Sequence, residues 1–165
     1  MRQKGYTLIE LLLYITVTAV LLGALTLFFA MATNARVKNQ TVLEVERQGQ
    51  QVIETVTQSI RSADAITAPV LGASGSSLTL TTTSTGSSPT VFALSGSSVT
   101  MQQGSGQAIA LTNSKVIVGS FTIKNVGKTG TTGSLQVSLT LNRVNSTAGN
   151  SYDYQKTFTT TASLR

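Results

Sequence analysis

The residue with the most chemical potential is Glu10, a carboxylate at the head of an apolar run. No residue from Leu11 to Ala35 is charged. An α-helix needs about 20 apolar residues to cross about 30 Å of hydrocarbon, and this run is long enough. The large apolar side chains between Leu11 and Phe29 favour insertion by roughly 4 to 7 kcal/mol, at about 0.3 to 0.6 kcal/mol each. A carboxylate at the helix centre would cost about 2.5 to 3.5 kcal/mol, and near one end it costs less. Insertion therefore wins, and an ionisable group kept at such a place calls for a named partner. An anion near a helix N-terminus is favoured by the macrodipole. A cation within a few ångströms would offset its burial in a low dielectric. The plainer alternative is a Glu10 that complements its own helix start among lipid headgroups.

The residues before it form a pattern. Arg2 and Lys4 precede Gly5, and Tyr6-Thr7-Leu8-Ile9-Glu10 leads into the apolar run. This start resembles that of a type IV prepilin or a type II secretion pseudopilin. The resemblance implies a leader of residues 1–5, cut by a prepilin peptidase between Gly5 and Tyr6. It further implies N-methylation of Tyr6 and pairing of Glu10 with the terminal amine of a neighbouring subunit during filament assembly. The implied partners are other pilin or pseudopilin subunits, the peptidase, an inner-membrane assembly platform and membrane lipid, with no cofactor. The implied topology is a single pass, with the N-terminus cytoplasmic and the chain after Ala35 outside. Charge alone leaves orientation open, because Arg36, Lys38 and Arg47 follow the span as closely as Arg2 and Lys4 precede it. Many major pilins carry a proline in the membrane helix. Here the first proline is Pro69, which is closer to a minor pilin or a pseudopilin. The Gln58-Ser59-Ile60-Arg61 segment and the closing Ser163-Leu164-Arg165 are similar to the larger minor pseudopilins of the filament tip. A rival processing remains open. Ala30-Met31-Ala32 has the form of an ordinary signal-peptidase site, and a cut after Ala32 would release a secreted domain.

Composition narrows the chemistry further. The chain has 165 residues, no cysteine, no histidine and no tryptophan, and its formal net charge is +6. Without His or Cys, no Ser-His, Cys-His or zinc constellation can form. Beyond residue 65 the only carboxylate side chain is Asp153, and one carboxylate makes neither an acid/base pair nor a calcium cage. The expectation is a protein that is not an enzyme and holds no metal. The surplus in that half is positive. Lys115, Lys124, Lys128, Arg143 and Lys156 are candidate anion-binding residues, for DNA phosphates or an anionic surface. Tyr152 and Tyr154 lie near Lys156 and suit base stacking or core packing alike. A DNA-binding or adhesive pilus subunit is therefore the second function class. The sequons at Asn39 and Asn145 carry little weight in so Ser/Thr-rich a chain.

The elements that must position these residues follow from periodicity. Within the apolar run, Thr16, Ala19, Gly23, Thr26 and Ala30 recur at three- and four-residue steps, a small-residue stripe suited to close helix packing in lipid. Past the span, Val42, Val45, Gly49, Val52, Val56 and Ala63 keep that spacing, with Ile53 and Ile60 widening the face. One helix is expected from Tyr6 to Ile66, its membrane half at 6–35 and its amphipathic half at 36–66. Pro69 and Gly72 are its expected stop. The 67–165 region reads as an exported β-rich domain of six or seven strands. They are placed near Leu78–Leu80 and at 90–94, 98–102, 107–111, 115–126, 134–144 and 152–163. Ser95-Gly96-Ser97 marks a hairpin. The expected fold class is α+β, a long N-terminal helix packed against one or two antiparallel sheets.

Overall fold

The structure, a computed structural model, describes residues 7–84, 86–130, 133–144 and 153–165. Gly5 and Tyr6, the rest of the leader, the Asn145 sequon and Tyr152 lie outside the described residues. The chain forms two compact units, Met1–Asn39 and Gln40–Arg165. Helix α1 (Leu8–Arg61) supplies residues to both.

In the second unit, α1 buries Thr41, Val45, Gly49, Val52, Val56 and Ile60. The steps of four, four, three, four and four hold these positions on one helical line. Thr41, not Val42, begins that line; Val42 sits a quarter-turn away and is only half-buried. Helix propensity alone would not hold so many β-branched residues, and the burial of Val45, Val52, Val56 and Ile60 against both sheets does. Each such side chain contributes about 1.5 to 3 kcal/mol of hydrophobic stabilisation.

The helix stops at Arg61, short of the expected Ile66. Ala63 N donates to Ile60 O at 3.3 Å in a tightened last turn, and Asp64 N then donates to Thr81 O at 2.9 Å. The next residues form strand β1 (Ala65–Ala68), whose first two residues, Ala65 and Ile66, fall within the expected helix. Pro69 favours an extended residue before it and offers no N–H of its own, so a sheet ladder serves these residues better than another helical turn.

Eight more strands follow among the described residues. They are β2 (Ser74–Gly75), β3 (Ser77–Thr81), β4 (Thr90–Ser95), β5 (Ser98–Gln103), β6 (Ile109–Ala110), β7 (Val116–Asn125), β8 (Ser134–Arg143) and β9 (Gln155–Ser163). All pairings are antiparallel. One sheet runs β1-β3-β4-β5-β6 and the other β2-β7-β8-β9. The two strands that periodicity missed, β1 and β2, are short and owe their pairing to distant partners. The β4–β5 hairpin has Ser95 opposite Ser98. Gly96 takes a φ of 58° while Ser97 does not share the positive region, the type II′ pattern that puts glycine first. In β8, Leu135, Val137, Leu139 and Leu141 are all fully buried, as their alternation predicts.

Two polar contacts tie loops into this core. Buried Asn125 donates from Nδ2 to Pro69 O at 2.9 Å and accepts from Gly127 N at 3.2 Å. Asn113, between β6 and β7, donates from Nδ2 to Glu44 Oε1 at 2.6 Å, and its backbone N donates to Gln48 Oε1 at 3.3 Å.

The seam between α1 and β9 is closer still. A Cβ added at Gly49 would lie 2.1 Å from the Phe158 ring. One turn away, Glu46 Oε1 accepts from Tyr154 Oη at 3.2 Å and from Lys156 Nζ. Lys156 also stands 5.3 Å from the Phe158 ring centroid, within cation–π range. The Lys156 ammonium holds Glu46 below its ordinary value, and the Glu46 carboxylate raises Lys156 above its own.

Gly49→Ala is expected to lower stability by about 1 to 2 kcal/mol, because overpacking outweighs the helix-propensity gain. Thermal unfolding of the full chain in detergent checks this. Adding Phe158→Leu should restore part of the loss, and no recovery would place the strain elsewhere. The Glu46–Lys156 pair predicts a pH window. Glu46, with its pKa lowered by folding, stabilises above the ordinary carboxyl pKa and loses that contribution as pH falls through its folded value. Lys156, with its pKa raised, stabilises below the ordinary lysine pKa and loses it as pH rises through its folded value. The stability gap between wild type and Glu46→Gln should be widest between those limits and close at acid pH. A gap unchanged at low pH would contradict the pairing.

Candidate assembly site

The first unit positions Glu10. Thr7 accepts Glu10 N at its carbonyl (3.1 Å) and at its hydroxyl (3.4 Å), and its carbonyl also accepts Leu11 N at 3.2 Å. Thr7 is thus the N-cap and Glu10 the third helical residue. Thr-x-x-Glu before an apolar run is the capping-box spacing. It is written in the sequence, and periodicity alone does not bring it out. The cap fixes where the helix starts and places a carboxylate in its first turn, where the macrodipole favours negative charge.

Glu10 is half-buried, and its Oε1 accepts a long hydrogen bond, 3.4 Å, from the Tyr14 hydroxyl one turn on. The spacing rule that pairs residues four apart on a helix accounts for Tyr14. One such bond leaves most of the carboxylate's lone-pair capacity available for a cation.

Around Glu10 the helix shows its apolar side chains outward. Large hydrophobic residues from Leu8 to Met31 are exposed by 50% (Val17) to 82% (Leu8). By length and composition α1 can cross a membrane, and this exposed surface matches lipid as its solvent. The threonines fit that surrounding. Thr16 donates to Leu13 O at 2.8 Å, Thr18 to Tyr14 O at 2.6 Å, Thr26 to Gly23 O at 2.8 Å and Thr33 to Phe29 O at 2.8 Å. Each hydroxyl is satisfied within the helix, which hydrocarbon requires. On the small-residue stripe, a Cβ at Gly23 would meet nothing within 4 Å. Thr16, Ala19, Gly23, Thr26 and Ala30 are all exposed.

The five candidate anion-binding residues do not form one surface. Lys124 projects from the exposed side of β7, opposite Ser74 of β2. Lys128 lies past the end of β7 in a cavity with Asp64 and Arg165. Lys156 is held by Glu46. Only Lys115 and Arg143 come together, and they line one groove with Arg47 of α1. The grouping of Arg47 with two residues far along the chain depends on the β7–β8 register.

No curated protein and no solved structure matches the chain. A family model does. Its match includes Gly5, Tyr6, Thr7, Glu10 and the stripe as far as Thr26. That family's motif implies processing by a prepilin peptidase and assembly with other pilin subunits. Residues 1–26 match the prokaryotic N-terminal methylation motif, and the chain thus carries the leader signature of type IV prepilins at the head of an α+β fold.

Proposed function

We propose that this protein is a minor pilin or pseudopilin precursor, matured by cleavage between Gly5 and Tyr6 and methylation of Tyr6, and assembled into a type IV pilus-like or type II secretion filament. The observation that carries this is the union of the methylation motif with an exposed apolar helix headed by a capped, half-buried carboxylate. Removing Arg2 and Lys4 leaves the apolar helix with one new cation, the α-amine of Tyr6. That amine on an incoming subunit is the complement that Glu10 of its neighbour requires in a low dielectric. The Tyr14 hydroxyl offers the carboxylate one long hydrogen bond meanwhile. The small-residue stripe then allows adjacent helices to approach closely, as small residues do in lipid. Before assembly the helix anchors the chain in the cytoplasmic membrane, N-terminus inside and the β-rich unit outside. The proline-free span favours a minor subunit over a major one.

The test is assembly in a cell that forms such filaments. Glu10→Gln keeps the shape and removes the charge, so it should insert normally and enter sheared filaments many-fold less than wild type. Gly23→Leu should also lower incorporation, whereas Leu25→Phe on the opposite face should not. Wild-type incorporation of Glu10→Gln would remove the charge-pairing role. Equal behaviour of Gly23→Leu and Leu25→Phe would remove the stripe.

A further inference from the structure

The groove of Arg47, Lys115 and Arg143 has no role in the assembly reading. It is built with some care. Asn113 pins the loop before β7 to α1 through Glu44 and Gln48, and its Oδ1 accepts Lys115 N at 3.0 Å. Val144 N donates to Lys115 O at 3.0 Å, and Arg143 stands opposite Val116, so the β7–β8 ladder fixes the other wall. Arg143 is also the next residue on the face of β8 that carries Leu135, Val137, Leu139 and Leu141, all fully buried. At that position a further apolar residue would be expected. Its Nε is shut off from solvent and has no hydrogen-bond partner among the described residues, a costly state for a polar group.

Two carboxylates, Glu44 and Glu46, share the groove, so its cations outnumber its anions by three to two, and Glu46 is already paired with Lys156 from outside it. Glu44 accepts from Asn113, and Glu46 accepts from Tyr154 and Lys156. Three cations with no carboxylate partner among the described residues line one groove, beside Leu43, which is 66% exposed. Fixed cations around an exposed apolar residue match an interface that offers both negative phosphate and hydrocarbon. They do not match a nucleic-acid track, which needs charge spread along several phosphates, because Lys124 and Lys128 lie outside the groove.

We infer that this groove binds the phosphodiester of an anionic lipid headgroup, with Arg47, Lys115 and Arg143 as its cations and Leu43 in contact with the lipid. The inference rests on the membrane-anchor reading of α1. Tethering supplies the occupant: a unit joined at Gln40 to a lipid-embedded segment meets headgroups at high effective concentration. Such binding would keep the unassembled subunit on the membrane surface until a filament takes it up.

The full chain, reconstituted in nanodiscs of phosphatidylcholine alone or with phosphatidylglycerol, tests this by hydrogen exchange. Co-elution with the discs is read first and reports on the anchor by itself. Peptides covering 111–118 and 141–144 should exchange several-fold more slowly in phosphatidylglycerol discs, and added salt should erode the difference. The combined Arg47→Gln, Lys115→Gln and Arg143→Gln variant should lose it, while Lys124→Gln should keep it. Protection independent of phosphatidylglycerol, protection retained in the combined variant, or protection by a short DNA duplex with none by the lipid would each overturn the inference.

Discussion

An ionised carboxylate in a low-dielectric surrounding is costly unless a cation or several donors meet it. The first unit is arranged around that constraint. Thr7 starts the helix so that Glu10 falls in its first turn, where the macrodipole lowers the cost. Tyr14 offers one hydrogen bond from the next turn. The remaining capacity is unfilled among the described residues of this one chain. A new amine in a second copy is the group of opposite sign that a cut after Gly5 would create.

The residue types of α1 change along its length, from a half apolar enough to cross a membrane to a half that packs in a protein core. Up to Ala35 it is uncharged, its hydroxyls turn back on its own carbonyls, and its side chains face outward. From Thr41 onward valines and isoleucines gather on a single line and are buried with the core residues of both sheets. In the second half, close approach replaces exposure. Gly49 admits the Phe158 ring, and the charged pair Glu46–Lys156 covers that contact at the rim. A larger residue at Gly49 would hold the helix off β9 at the place where that rim forms.

Much of this was legible in the sequence, and for physical reasons. Alternation in β8 and three-four spacing in α1 are local consequences of backbone geometry, so Leu135 to Leu141 and Val45 to Ile60 could be placed from the sequence alone. The helix end could not. Ala65 to Ala68 read as helix or strand until β3 is there to pair with them, and the deciding bond, Asp64 N to Thr81 O, spans distant positions. The basic groove failed to appear for the same reason: Arg47, Lys115 and Arg143 are neighbours only through the β7–β8 register and the Asn113 contact with α1. At the assembly site the reverse holds. Glu10 and the small-residue stripe depend only on local spacing, as do Thr7 and Tyr14, although those two come forward only when the capping pattern and the four-residue step are applied.

The most direct measurement is the mass of the amino-terminal peptide of the protein extracted from membranes of cells with an active prepilin peptidase. The account predicts a chain that begins at a methylated Tyr6. A chain still beginning at Met1, or one beginning after Ala32, would contradict it, because neither places a new cation at the head of the helix.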